Sequence, residues 1–213
     1  MICILGCLDT DLGLKICDEM LSHLSEHTTF VVHQKPPGNE YEYPAISKVL
    51  NCAITLNEPV LYVHTKGAGN KIPYNYKTAM MAPAINFPKD AIPEDCQKIV
   101  RLMWYKEFTG ARLQQYLKEL KTDVPMVICP FAGPNRVTWQ NGWIINPLAA
   151  KELLKTFHKD TNRYYYENML QQAPNIILKG MILNDFDWNE KNHKRLWDSI
   201  WSFYDKEIIK DMA

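Results

Sequence analysis

The sequence predicts a three-layer α/β domain with a central, mostly parallel mixed sheet flanked by helices. Three observations point there. Short continuous apolar runs at 1–7 (MICILGC), 30–33 (FVVH) and 60–64 (VLYVH) have the composition of strands covered on both faces. Helix-patterned segments separate these runs, which makes the strands parallel neighbours joined by crossovers. Finally, the 213 residues are 46% hydrophobic and 23% charged, as in an ordinary globular core. A chain of this mass buries about seven tenths of its extended surface on folding.

Each run is bounded by its own signals. After the first strand, Asp9 or Thr10 can cap a helix in which Leu12, Ile16, Met20 and Leu24 recur every four residues. The second strand ends in Gln34-Lys35-Pro36-Pro37-Gly38, a loop. Pro44 opens a helix over 44–50. The third strand breaks at Thr65-Lys66-Gly67-Ala68-Gly69, and prolines at 73, 83, 88 and 93 allow only short helices in the long segment that follows. That segment is expected to form a lid or a binding loop. A helix is expected over 95–120, with Gly110 as a possible break, then strands over 124–131 and 143–145. Asn146-Pro147 caps and starts a helix over 148–157. A helix over 163–172, a strand region over 175–183 and an amphipathic helix over 188–209 complete the order. The length fits one domain spanning 1–213, which leaves room for the chain to be one domain of a longer protein.

Composition narrows the function. Lys plus Arg and Asp plus Glu are 24 each, so the net charge is zero, which argues against a general nucleic-acid binder. No apolar run approaches the length needed to span a bilayer, and the amino terminus lacks a basic region and a cleavage site. The six cysteines form no CxxC pair and most lie in or beside apolar runs, as reduced cysteines of a cytoplasmic protein do.

Ligands of open α/β sheets bind beyond the carboxyl ends of the strands. There the sequence places Leu8, Asp9 and Thr10, then His33 and Gln34, then His64, Thr65, Lys66 and Gly67. Lys66 can neutralise a phosphate, Gly67 lets backbone N–H groups approach one, and His64 can hold a cation or hydrogen-bond the ligand. A solvated corner with a satisfied histidine is the competing reading. Asp9-Thr10-Asp11 has the DxD pattern of metal–diphosphate sites, but its place after the first strand suits helix capping as well. In Trp139-Gln140-Asn141-Gly142-Trp143, indoles can stack on a sugar and amides can read its hydroxyls; a buried tryptophan pair at a turn is the alternative. Glu167, beside three tyrosines, can act as base, nucleophile or hydroxyl acceptor, or simply pair with Arg163 on a helix surface. No P-loop, GxGxxG, GxSxG or zinc signature is present.

The segment VLYVHTKG at 60–67 resembles the HTKG signature of a family of GT-A-type glycosyltransferases from bacteria, algae and large algal viruses. RLMWYKEF at 101–108 is similar to the family's tryptophan-bearing helix, Asn141-Gly142-Trp143 to its Asn/Gly/Trp segment in a different order, and 163–167 to its aromatic helix ending in glutamate. The resemblance implies a GT-A-like (Rossmann-like) fold and transfer of a sugar from a UDP-linked donor to a hydroxyl of a glycan or glycoprotein. For the algal-virus members that acceptor is a capsid glycan, made in the host cytoplasm. It also implies Mn²⁺ or Mg²⁺, with His64 as the first candidate ligand, since His64-Thr65-Lys66 stands where many such enzymes carry DxD. Glu167, Lys66 and Asn141 are then the catalytic candidates. Leu8, Asp9, Thr10, His33, Gln34, His64, Thr65, Lys66, Gly67 and Trp143 would line the nucleotide-sugar site. The alternative is a non-catalytic glycan-binding module built on Trp139 and Trp143. A nucleotidyltransferase ranks lower, because its Gly-rich basic loop after the first strand is missing.

Overall fold

In a computed structural model, the structure describes residues 1–35, 42–65, 68, 101, 104–130, 132, 136, 138, 142–162 and 165–180. The strands are β1 (Ile2–Leu8), β2 (Thr28–Gln34), β3 (Val60–His64), β4 (Met126–Cys129), β5 (Trp143–Ile145) and β6 (Ile177–Gly180). The helices are α1 (Asp11–His23), α2 (Tyr43–Leu56), α3 (Gly110–Leu120), α4 (Pro147–Leu154) and the short α5 (Tyr165–Asn168), which continues as a 3₁₀ turn, Met169–Gln172. Residues 104–107 are also helical.

The six strands form one mixed sheet in the order β2-β1-β3-β5-β4-β6. β1 is parallel to β2 and β3, β4 is parallel to β6, and β5 runs antiparallel to both its neighbours. The result is an α/β domain with a Rossmann-like layout. Adjacent residues of β1 show that the first two helices cover opposite faces, because successive side chains of a strand alternate. Cys7 Sγ donates to Gly13 O of α1 at 3.7 Å, whereas a Cβ on Gly6 would meet Ala45 of α2 at 3.3 Å.

Local chemistry fixes the boundaries. Thr10, rather than Asp9, caps α1: its Oγ1 accepts from the Gly13 N–H at 3.0 Å. Gly13 has no alternative, since a Cβ there would lie 1.9 Å from Leu8 O. α2 runs beyond the expected 44–50, because Val49, Leu50 and Ala53 extend its buried face; Asn57 ends it in the left-handed conformation at φ 53°. The helix expected over 95–120 is divided. Gly110, at φ +55°, starts α3 as a separate helix, and its N–H donates to Glu26 Oε1 at 3.1 Å. The expected helix over 163–172 shortens to α5 and its 3₁₀ turn, while the helix over 188–209 lies outside the described residues. Asn146 caps α4 through its Oδ1, 2.9 Å from the Ala149 N–H, and also ties β5 to β4: Oδ1 accepts from Met126 N and Nδ2 donates to Val124 O at 2.8 Å.

The core runs along β1, β3, β4 and β5 and includes Trp104, Trp143, Tyr62, Tyr116, Tyr166 and Phe108, all fully buried. Described cysteines 3, 7, 17, 52 and 129 form no disulfide. No helix among the described residues is long and apolar enough to cross a membrane.

Candidate functional site

The chain leaves β1 through α1 to reach β2 on one side, then returns through α2 across β1 to β3 on the other. Connections therefore diverge between β1 and β3, the place in an open α/β sheet where ligands bind beyond the carboxyl ends of the strands. Their ends are knitted together. The Leu8 N–H donates to Thr65 Oγ1 at 3.0 Å, the Thr65 N–H to Gly6 O at 2.8 Å, and the Asp9 N–H to Gln34 O at 2.8 Å. The structure thus brings Leu8, Asp9, Thr10, Gln34, His64 and Thr65 to one edge of the sheet, with His33 one position before Gln34 on β2.

Within that group the roles differ. Thr65 is buried and its hydroxyl oxygen is a tie between strands. Thr10 spends its oxygen on the α1 cap. Asp9 and His33 are exposed. Gln34 has a buried Nε2 that finds no acceptor among the described residues.

His64 sits in a denser setting. Its pairing with Gly6 and the alternation of β3 put it on the face that carries Tyr62. The two rings lie 6.0 Å apart, and Trp104 approaches His64 edge-on at 5.5 Å. Glu42, immediately ahead of α2, reaches both residues of β3. Its Oε2 accepts from the Tyr62 hydroxyl at 3.0 Å, and its Oε1 lies 4.0 Å from His64 Nε2. Burial, reinforced by the Glu42 charge, pushes the Tyr62 phenol well above its ordinary pKa, so Tyr62 stays a neutral donor. Trp143 stands opposite Tyr62 in the antiparallel register with ring centroids 5.1 Å apart. Trp143 is fully buried and belongs to the core beneath the site, not to an open stacking platform.

The glutamate-bearing helix docks on the same side. Tyr166 adds a small part to the raised pKa of Tyr62, and burial is the main cause of its own raised pKa. Its hydroxyl donates to Asp160 O at 3.0 Å. The Glu167 carbonyl accepts from the Thr138 N–H at 2.8 Å, which joins α5 to the segment leading into Gly142 and Trp143. Glu167 follows Tyr166 in α5. Lys66, Gly67 and Asn141 lie outside the described residues, as do Trp139 and Gln140.

Arg136, another polar residue after a strand, serves the fold. Its guanidinium donates to Leu170 O at 2.9 Å, Ala173 O at 3.0 Å and Ile176 O, closing the turn before β6. His27 is buried with Nε2 2.8 Å from Phe108 O, and His23 stacks on Tyr105 at 4.3 Å. Among the described residues no three His, Cys, Asp or Glu side chains cluster to hold a metal. Comparison with protein-family models, with curated proteins and with solved structures gave no match. The geometry therefore carries the functional argument.

Sequence reasoning missed Glu42 as a site residue. It lies 22 positions before His64 and has no motif around it; the only signal was its place just ahead of the helix opened by Pro44. Tyr62 read as a strand residue, and Trp104 as an apolar residue of the helix over 95–120 and as part of a resemblance.

Proposed function

We propose that the chain is a glycosyltransferase that moves a sugar from a UDP-linked donor to a hydroxyl of a glycan or glycoprotein. One observation carries the reading most directly: His64 and Thr65 stand at the switch point between β1 and β3, flanked by Glu42, where an α/β sheet takes a phosphate-bearing ligand. The similarity of 60–67 to the HTKG signature supports it, and the algal-virus members of that family point to a capsid glycan as acceptor.

In this reading Leu8, Asp9, Thr10, His33 and Gln34 hold the nucleoside. His64, Thr65, Lys66 and the Gly67 N–H face the diphosphate, whose negative charge grows as the glycosidic bond to it breaks. Fixed cations and donors aimed at that charge lower the barrier, usually the largest electrostatic contribution to such a step. Asn141 and Glu167 face the sugar and the acceptor hydroxyl, where a carboxylate can take the proton released on transfer. A divalent cation fits the donor set in combination with the ligand: His64 Nε2 and Glu42 Oε1 would supply two ligands, and diphosphate oxygens the others. When bound, Mn²⁺ or Mg²⁺ would supply Lewis-acid stabilisation of the leaving diphosphate.

Lys66→Ala tests the reading. Transfer from UDP-sugar, followed as UDP release in the presence of acceptor, is expected to fall at least about a hundredfold with the melting temperature unchanged. Transfer at the wild-type rate would remove Lys66 from the mechanism. Glu167→Gln is expected to bind UDP normally but transfer poorly.

A further inference from the structure

Trp104 presents a donor that the fold does not use. The residue is fully buried, and its indole Nε1 has no hydrogen-bond acceptor among the described residues. Burying such a group without a partner costs about 1–3 kcal/mol, so its place calls for an explanation. The indole is not loosely held. Arg101, three residues earlier, donates from Nε and Nη2 to Glu19 of α1 at 3.2 and 3.3 Å, and the next residue, Tyr105, donates to the same carboxylate at 3.2 Å. The Phe108 N–H returns to Trp104 O at 2.8 Å.

Gly142 makes room for that ring. A Cβ at Gly142 would fall 2.3 Å from Nε1, 2.5 Å from Cε2 and 2.9 Å from Cδ1. Because Cε2 is almost as near as Nε1, the added atom would sit over the face of the pyrrole ring, not in line with its N–H. Gly142 therefore packs on the indole without capping the donor. The same ring meets the His64 imidazole edge-on at 5.5 Å and 64°, which puts the indole beside the last residue of β3, at the carboxyl end of that strand.

We infer that Trp104 is a ligand-binding residue whose indole N–H donates to an oxygen of the nucleotide-sugar, on its diphosphate or its sugar. The inference rests on the donor site proposed above. It identifies a binding group on the helical segment at 104–107.

The test is nuclear magnetic resonance of the intact chain labelled with nitrogen-15 in its tryptophans, six in all. The Trp104 indole signal is assigned by its loss in Trp104→Phe, which keeps an aromatic ring against Gly142. Should that variant not fold, nuclear Overhauser contacts to the His64 ring assign it in the wild type. Calorimetry run alongside with UMP, UDP and UDP-glucose establishes binding. A downfield move of the Trp104 indole proton on adding UDP, but not UMP, supports the inference and places the acceptor on the terminal phosphate. A move with UDP-glucose alone supports it and places the acceptor on the sugar. Trp104→Phe is then expected to weaken the matching ligand about tenfold. If UDP-glucose binds and the Trp104 signal stays in place, the inference is overturned while the donor site stands. If none of the three nucleotides binds, the donor site falls and the inference with it.

Discussion

The two halves of the sheet are held together differently. β2, β1 and β3 are 7, 7 and 5 residues long, all parallel, and joined by helices that follow one another directly in the chain. β5, β4 and β6 are 3, 4 and 4 residues long and include the antiparallel strand. In the first half, apolar burial does the holding: Cys3, Ile4, Leu5 and Cys7 of β1 and Val60 to Val63 of β3 are inaccessible to solvent. In the second half, short strands are tied by specific polar groups: Asn146 to both β4 and α4, Arg136 to the turn before β6, Thr138 to Glu167, and Lys179 of β6 to Glu119. Polar side chains of the second half are consumed by the fold, while at the strand ends of the first half only Thr10 and Thr65 serve it in this way, and Asp9, Gln34 and His64 stand beside them. A polar residue after a strand thus means different things in the two halves.

That contrast can be broken by exchanging its two kinds of residue. Arg136→Ala leaves three carbonyls without their donor and is expected to cost about 3 kcal/mol of stability in denaturant unfolding, with UDP affinity of the folded chain unchanged. His64→Ala is expected to do the reverse, costing less stability than Arg136→Ala and weakening UDP by at least about tenfold. If Arg136→Ala impaired UDP binding as much as His64→Ala, the division between holding and binding groups would be lost.

A smaller effect concerns α1 and the segment at 104–108, which flank the first half. Burial pushes the His27 pKa down, and its Nε2 lies against Phe108 O. The folded state therefore keeps His27 neutral, whereas the unfolded chain protonates it near its ordinary value of about 6.5. Below that pH the unfolded state binds more protons. The stability contributed is present above it and lost as pH falls, at up to about 1.4 kcal/mol per pH unit. His27→Gln should flatten this part of a stability profile measured between pH 7 and pH 5; an unchanged slope would place the titration elsewhere.

The first half was largely legible because its signals are local. A continuous apolar run, a capping threonine and the Pro44 helix start each sit within a few residues of what they determine. The division of the 95–120 helix was only half legible: Gly110 marked a possible break, but its left-handed backbone is held by Glu26, 84 residues away in sequence. Glu42 and Arg136 were not readable as a site group and a structural clamp, because their partners are distant in sequence and brought to them by the fold. Trp143 read as a sugar platform because its composition suits one; its register opposite Tyr62 places it in the core.

The most direct test of the account is calorimetric titration of the chain with UDP, GDP and CMP, each with and without Mn²⁺. The account predicts that UDP binds selectively and that Mn²⁺ tightens it through His64 and Glu42. Absence of binding by any of the three nucleotides, with or without the metal, would contradict a nucleotide-sugar site at the ends of β1 and β3.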